Sequence, residues 1–255
     1  MRGLVGRSAV VTGGGSGIGK AIALRLGAEG MIVGVFDLNG EAAASTVKEI
    51  GDAGGRAVAQ VVDITDYPAV VAAVDAFEAE VGPVHVLVNN AGWDRPTSFI
   101  TTTPEFWKKV IDINLYGPIH MTHAVAGRMA GRKDGRIIFI ASDAGRVGST
   151  GEVVYSACKG GTIAFAKALA REVARAGVLV NTICPGPTNT PAMDAFAGTG
   201  EQGQKIRDSL TRSVPLGRIG EAEDYPGMVA FFASDDAKFI TGQTISVSGG
   251  LSMHG

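Results

Sequence analysis

A chain of 255 residues with 45% hydrophobic and 19% charged residues has the composition of a globular protein with a sizeable core. Lys and Arg number 23 against 25 Asp and Glu, and a net charge of −2 lacks the basic footprint of a nucleic-acid binder. Two cysteines, Cys158 and Cys184, exclude a disulfide framework and have no metal spacing; with no apolar run of membrane-span length and no signal-peptide core in Met1–Ser8, a soluble cytoplasmic protein is expected.

Ser8–Thr12 is a short β-branched apolar run that reads as a buried strand. It leads into Gly13-Gly14-Gly15-Ser16-Gly17-Ile18-Gly19 and then an alanine- and leucine-rich helix through Ala28. Strand, glycine turn and helix in this order open a dinucleotide-binding βαβ unit. The glycines admit a pyrophosphate close to backbone, and the helix N-terminus offers free N–H groups and a favourable dipole. The spacing is T-G-x-x-x-G-x-G, not the generic G-x-G-x-x-G. Gly13, Ser16, Gly17, Ile18 and Gly19 are the expected cofactor contacts here. The next strand, Met31–Asp37, ends in an acid 18 residues after Gly19. A carboxylate at that point accepts hydrogen bonds from ribose hydroxyls and repels a 2′-phosphate. Ser16 and Leu38 stand where a phosphate-binding Arg or Lys would help, so NAD is expected over NADP.

The alternation continues with a helix over Glu41–Ala53, a strand over Ala57–Asp63, a helix over Tyr67–Val81 and a strand over Val84–Val88. Asp63 either accepts from the adenine amino group or caps the following helix. In Asn89-Asn90-Ala91-Gly92, Asn90 and Gly92 are expected along the cofactor and Asn89 as a tether between strands, because ligands bind at the carboxyl ends of parallel strands. Thr103-Pro104-Glu105 has the chemistry of a helix start, and that helix is expected to reach about Met129 with Asn114 in its middle. A mid-helix Asn competes for backbone hydrogen bonds. Arg136–Ala141 is the fifth strand and delivers Ser142 at its carboxyl end.

Tyr155 follows 13 residues after Ser142, on a helix expected to run to about Ala176, and Lys159 lies four positions further on. At that spacing the two side chains share a helix face. An ammonium one turn away favours the phenolate, so the tyrosine pKa is expected below its ordinary value, and the pair can exchange a proton with an alcohol or carbonyl. Cys158 within that turn reads as a small packing residue, and His120 and His123 as facing other helices or solvent. Val178–Cys184 is the sixth strand. Beyond Pro185 the pattern loosens between Thr190 and Pro215, where an irregular stretch with a short polar helix suggests a substrate loop. Glu221–Ser234 is a helix interrupted by Pro226, and Thr244–Val247 is the last strand. Without a linker, residues 1–255 read as one domain.

Thr12-Gly13-x-x-x-Gly17-x-Gly19, Asn89-Asn90-Ala91-Gly92, Asn114, Ser142, Tyr155-x-x-x-Lys159 and Pro185-Gly186, in this order, resemble the classical short-chain dehydrogenase/reductase family across essentially the whole chain. The resemblance implies an α/β fold: a single-domain Rossmann-type, doubly wound parallel sheet of about seven strands with helices on both faces, usually as a homotetramer. It also implies a catalytic set. Tyr155 takes the hydroxyl proton, Ser142 holds the same oxygen, Lys159 binds the nicotinamide ribose, and Asn114 holds a water that links Lys159 to solvent. Asp63, Ile64, Asn90, Ala91 and Gly92 would follow the cofactor with Asp37, Tyr155 and Lys159. Pro185, Gly186, Thr188 and Thr190 would shape its carboxamide pocket.

Within the family the chain is most similar to the 2-hydroxycyclohexanecarbonyl-CoA dehydrogenases. Asn89–Asp94, Ala141–Gly148 and Phe239–Gln243 carry that likeness. An NAD-dependent oxidation of a 2-hydroxycyclohexanecarbonyl-CoA or related β-hydroxyacyl-CoA substrate is expected. The alternatives are a 3-oxoacyl-thioester reductase and a dehydrogenase of free cyclic or aromatic alcohols or sugars. Candidate substrate walls are Trp93, Asp94, Arg95, Asp143, Val147–Val153 and residues 190–215. Trp93 and Phe196 either face a ring or pack ordinary loops. Arg95, Arg146, Lys205, Arg207 and Arg212 either meet CoA phosphates or serve only solvation. Partners beyond a small-molecule substrate are not expected, neither nucleic acid nor membrane, and no metal.

Overall fold

The computed structural model describes residues 1–190, 193, 197–198 and 200–253. Its strands are β1 (Ser8–Thr12), β2 (Ile32–Asp37), β3 (Arg56–Val61), β4 (Val86–Asn89), β5 (Gly135–Ile140), β6 (Val178–Pro185) and β7 (Thr244–Val247). They form one seven-stranded parallel sheet in the order β3-β2-β1-β4-β5-β6-β7. Strand order reverses between β1 and β4, and in an open α/β sheet the crevice at such a reversal is where ligands bind.

The helices are α1 (Gly17–Ala28), α2 (Gly40–Asp52), α3 (Tyr67–Val81), α4 (Pro104–Ile111), α5 (Gly117–Arg132), α6 (Ala144–Val147), α7 (Val153–Val173), α8 (Gly200–Ser213) and α9 (Pro226–Ala233). Both sheet faces are covered, which explains why the strands are nearly continuous apolar runs. Successive side chains alternate between two cores. Ala9 and Val11 of β1, with Ile138 and Ile140 of β5, pack toward α1, α2 and α9. Val10, Ile137 and Phe139 pack the other way, toward α3, α5 and α7. This is the Rossmann-type fold the sequence led us to expect.

Several boundaries differ. β3 stops at Val61, so Asp63 lies in the loop beyond it, and β4 starts at Val86. Pro226 occupies the first turn of α9, where its missing N–H costs nothing, so a short 3-10 turn over Ala222–Asp224 precedes a new helix. A two-residue ladder pairs Thr188 with Gly220 and Asn189 with Glu221, joining the segment after β6 to the approach to α9. The expected single helix through Asn114 is interrupted by a π-helical turn over Asp112–Tyr116. Asn114 itself supplies the cause: its side-chain Nδ2 donates to the Val110 carbonyl at 2.9 Å, the acceptor its own backbone N–H would use in an unbroken α-helix. No helix among the described residues is long and apolar enough to cross a membrane.

Candidate active site

At the end of β1 the glycine turn is fitted to its surroundings by contact. Gly13 (φ +63°) and Gly17 (φ +50°) use backbone conformations that disfavour side chains, and any Cβ on Gly19 would overlap the Gly13 carbonyl oxygen. Ser16 caps α1 in extended backbone, is exposed, and makes no side-chain cap hydrogen bond to the first N–H groups of α1. Such a terminus suits a pyrophosphate, so the residues present fit a dinucleotide. Asp37 borders this turn: Oδ2 accepts from Gly15 N and Oδ1 from Asn39 N, both at 2.9 Å. Each oxygen keeps a lone pair for a further donor.

The segment after β4 is pinned to the same turn. Thr12, the last residue of β1 and the head of the glycine motif, accepts at Oγ1 from Asn90 N (3.0 Å) and Ala91 N (3.1 Å). The Asn90 side chain donates to the carbonyls of Thr12 (3.0 Å) and Gly13 (3.3 Å). That amide is therefore a brace of the glycine turn, and with the Asn90 and Ala91 N–H groups also held by Thr12 the segment is fixed against the end of β1. Asn89 does not tether two strands: its Nδ2 donates to Thr122 Oγ1 on α5 at 3.0 Å. Asp63 is not the cap of α3, since Asp66 performs that role by accepting from Ala69 N. Asp63 Oδ1 instead takes the N–H and hydroxyl of Thr65, both at 2.8 Å. Ile64 is buried, and its carbonyl meets His120 Nδ1 at 3.0 Å. His120 and His123 meet Tyr67, whose hydroxyl lies 2.7 Å from His123 Nδ1.

Ser142, Tyr155 and Lys159 come together because α6 lies hard against α7. A Cβ on Gly145 would sit 2.6 Å from the Lys159 carbonyl carbon and 2.7 Å from Gly160 N, so only a glycine permits this approach. Lys159 is 4% exposed, and its ammonium donates to the carbonyl of Ile140 at 3.1 Å, two residues before Ser142. Its Nζ is 5.4 Å from the centre of the Tyr155 ring. A Cβ on Gly92 would lie 2.9 Å from Asn114 Oδ1 and 3.5 Å from Lys159 Nζ, which places Asn114, Gly92 and Lys159 in one corner. Asn114 is fully buried, and its amide is used by protein: Oδ1 accepts from Trp93 N (3.2 Å) and Nδ2 donates to Trp93 O (2.6 Å) as well as Val110 O. Both Nδ2 hydrogens are thus taken by protein, and a water of the kind expected at Asn114 would meet the one lone pair that Oδ1 keeps.

The electrostatics correct another expectation. Lys159 does not lower the Tyr155 pKa in the chain by itself; burial pushes the phenol above its ordinary value, and the carboxylates of Glu152 and Asp94 push it further. The Ser142 side chain, hydrogen-bonded to the phenol, acts in the opposite sense. Burial also moves Lys159 down, to about 8, because desolvation disfavours the ammonium.

Beside Tyr155 a cleft is lined by Asp94, Phe106, Glu152 and Val153 among others. Asp94, Glu152 and Val153 fall within the expected walls, whereas Phe106, in the first turn of α4, carried no signal in the sequence. Other expected walls are placed elsewhere. Trp93 packs edge-on against Phe106 with Lys109 Nζ 3.9 Å above its ring, and does not itself line the cleft. Asp143 is 4% exposed and binds Ser246 on β7, and Arg146 donates to Ser246 Oγ at 3.0 Å and to the Thr244 carbonyl. Both side chains tie α6 to the sheet edge instead of facing a substrate. Lys205 pairs with Glu201, Arg207 has a partner as well, and Arg212 is exposed. Phe196 lies outside the described residues.

Past β6, Thr188 Oγ1 hydrogen-bonds the Gly186 carbonyl at 2.8 Å and the Tyr225 hydroxyl. Pro185 O accepts from Asp143 N at 3.0 Å. Thr190 returns to the glycine turn, its Cγ2 being 3.6 Å from where a Gly17 Cβ would stand. The residues expected from Gly13 to Thr190 therefore gather along the carboxyl edge of the sheet. Among the described residues no group of His, Cys, Asp and Glu side chains is arranged to hold a metal ion.

Residues 13–252 match the family model described as enoyl-(acyl carrier protein) reductase. Over 245 residues the chain is 41% identical to an acetoacetyl-CoA reductase of Shinella zoogloeoides, covering 96% of this chain and 98% of that protein. It is 38% identical over 256 residues to a (3R)-3-hydroxyacyl-CoA dehydrogenase of Rattus norvegicus, with 96% of each chain covered. Among solved structures, a 3-ketoacyl-(acyl-carrier-protein) reductase of Brucella melitensis complexed with NADH superposes with a TM-score of 0.90. It is 31% identical, with 98% of this chain and 100% of that chain covered.

Proposed function

The chain belongs to the classical short-chain dehydrogenase/reductase family and is an oxidoreductase acting between secondary alcohols and ketones; we propose that it uses NAD and takes a 2-hydroxycyclohexanecarbonyl-CoA or related β-hydroxyacyl-CoA substrate. The observation that carries the catalytic reading is the convergence of Ser142, Tyr155 and Lys159 beside a cleft that Tyr155 itself lines.

When bound, the nicotinamide supplies the acceptor or donor of hydride. Gly13, Ser16, Gly17, Ile18 and Gly19 would hold its pyrophosphate, and Asp37 its adenosine ribose. Asp63, Ile64, Asn90, Ala91 and Gly92 would line the adenine-to-ribose path; Pro185, Gly186, Thr188 and Thr190 would line the carboxamide end. Tyr155 exchanges a proton with the substrate oxygen, and Ser142 holds that oxygen against the phenol. Lys159, fixed by the Ile140 carbonyl, contributes an ammonium to the ribose and the proton path. Asn114 holds the segment that carries Gly92 beside Lys159 through its clamp on Trp93, and would hold the water that links Lys159 to solvent. Asp37 supports NAD because an anion at this place meets ribose hydroxyls well and a 2′-phosphate badly. The stretch 190–215, part of which lies outside the described residues, would be the substrate loop. A homotetramer in the cytoplasm belongs to the same reading.

A second reading, the reductive one, is supported by the names of the relatives, among them an acetoacetyl-CoA reductase and a 3-ketoacyl-(acyl-carrier-protein) reductase. In that reading the chain is a 3-oxoacyl-thioester reductase, the chemistry named for its relatives.

Initial rates with NAD⁺ and NADP⁺ test the proposal. The substrates are 2-hydroxycyclohexanecarbonyl-CoA, simple cyclic alcohols and, in reverse, a 3-oxoacyl thioester. A preference for the hydroxy thioester over the simple alcohols of about a hundredfold, about 2.7 kcal/mol of transition-state discrimination, supports it. Equal turnover of the simple alcohols discards the thioester, and a faster NADPH-driven reduction selects the second reading.

A further inference from the structure

The cleft beside Tyr155 contains two carboxylates that the hydride and proton chemistry does not use. Asp94 follows the Asn90–Gly92 segment and Glu152 precedes α7, so they approach the cleft from separate elements and both line it together with Tyr155. Asp94 Oδ2 is fully shielded from solvent and has no hydrogen-bond partner. Neither side chain is in an ion pair among the described residues. Arg95, next to Asp94 in the chain, has its guanidinium over the Phe106 ring, 5.5 Å from the ring centre, and the Lys159 ammonium, 5.4 Å from the Tyr155 ring centre, is held by the Ile140 carbonyl. The backbone N–H of Arg95 hydrogen-bonds Asp94, and the Ser149 side chain hydrogen-bonds Glu152. A shielded carboxylate oxygen without a donor is costly in the resting protein, and a second anion brought against it is costlier still.

We infer that Asp94 and Glu152 form a negatively charged wall that selects substrates by charge: a carbinol whose neighbouring acyl group is neutral, as a thioester, ester or amide, is admitted, and the corresponding free acid is rejected. Specificity of this kind comes from an element hostile to the wrong substrate, not from an added contact to the right one. The carboxylate of a 2-hydroxy or 3-hydroxy acid stands one or two carbons from the reacting carbinol. Once that carbinol reaches Tyr155, the charge is held inside the cleft Asp94 and Glu152 line. Burial pushes the Asp94 carboxyl up to about 6 and the Glu152 charge acts in the same direction, in keeping with a cleft that disfavours one more negative charge. The inference rests on the secondary-alcohol chemistry proposed above and adds to it the reason a thioester would be chosen over its acid.

The test compares an anion with a neutral group of almost the same shape. The purified full-length protein is assayed for NAD⁺ reduction with 2-hydroxycyclohexanecarboxylate, 2-hydroxycyclohexanecarboxamide and 2-hydroxycyclohexanecarbonyl-CoA. In the unaltered protein the carboxamide should exceed the carboxylate in kcat/KM by about tenfold or more, a comparison that needs no variant to fold. In Asp94→Asn, Glu152→Gln and the double variant, the carboxylate should gain about tenfold relative to the carboxamide, while the carboxamide-to-thioester ratio stays put. A lost structural support would lower all three together. Equal use of carboxylate and carboxamide by the unaltered protein overturns the inference, as does an unchanged ratio in a folded double variant. Turnover of all three at equal rates defeats the charge wall and leaves the dehydrogenase standing; turnover of none defeats both.

Discussion

The side-chain amide of Asn114 grips both backbone groups of Trp93, accepting its N–H at 3.2 Å and donating to its carbonyl at 2.6 Å. Two hydrogen bonds in opposite senses make this side chain a substitute for a neighbouring strand just beyond the end of β4. The same amide takes the Val110 carbonyl, so one residue both opens the π-helical turn and fixes the segment that carries Gly92 beside Lys159. π-helical turns of this kind recur at functional sites.

Asn114→Ala should therefore cost stability out of proportion to its size. It removes three hydrogen bonds and leaves buried backbone groups at Trp93 without partners, a loss on the order of 2–4 kcal/mol. Denaturant unfolding of the two proteins measures it. A change below about 0.5 kcal/mol would mean that water replaces the amide without penalty.

Tyr155→Phe keeps the ring and its packing and removes the proton. Turnover should fall by about a hundredfold to ten-thousandfold, while NADH affinity, followed by fluorescence titration, stays nearly unchanged. Retained turnover would remove Tyr155 from the proton transfer.

Asp94 makes stability depend on pH in a definite direction. Its carboxyl is raised from an ordinary 3.8 to about 6, so the folded state binds this proton more tightly than the unfolded state does. The stabilisation is complete below the ordinary value and is lost as pH rises through about 6. With allowance for its partial exposure, the ionised side chain costs on the order of 1–2 kcal/mol at neutral pH. Asp94→Asn has no such ionisation. Its melting temperature relative to the unaltered protein should rise between about pH 4 and about pH 8, and thermal scans at the two pH values give the difference. A constant offset would mean that Asp94 is well solvated.

Asp37→Ala should act on both cofactor choice and stability. Loss of the anion is expected to narrow the NAD-over-NADP preference by roughly 10- to 100-fold, the worth of a hydrogen bond to a charged group. The Gly15 and Asn39 amides lose their acceptors as well, so the melting temperature should fall with it. Steady-state kinetics with the two cofactors and a thermal scan separate the effects. An unchanged cofactor ratio would assign the preference to another residue.

The local chemistry of the chain was sufficient for the strands, the helices and the line of turns at the sheet's carboxyl edge. Apolar runs of strand length, glycine turns and helical periodicity are set by short-range sterics and by the need to bury both sheet faces, and these are written in neighbouring residues. The pairing of Tyr155 with Lys159 was legible for the same reason, since a helix fixes which side chains share a face.

What only the tertiary structure decided is which polar groups remain available once the chain closes. Asn90, Asn114, Asp143 and Arg146 all read as site residues, yet their side chains are taken by backbone or by β7. Asp94 and the stretch with Glu152 were expected as substrate walls, but that the two carboxylates share one cleft, and that an oxygen of Asp94 has no partner, follows only from how the start of α7 and the segment after β4 come together. The direction of the Tyr155 shift was decided the same way: one helical turn of sequence supplied Lys159, but burial and two carboxylates from separate elements outweigh it. A hydrogen-bond partner or a neighbouring charge is a relation across the fold, and the spacing of residues along the chain does not contain it.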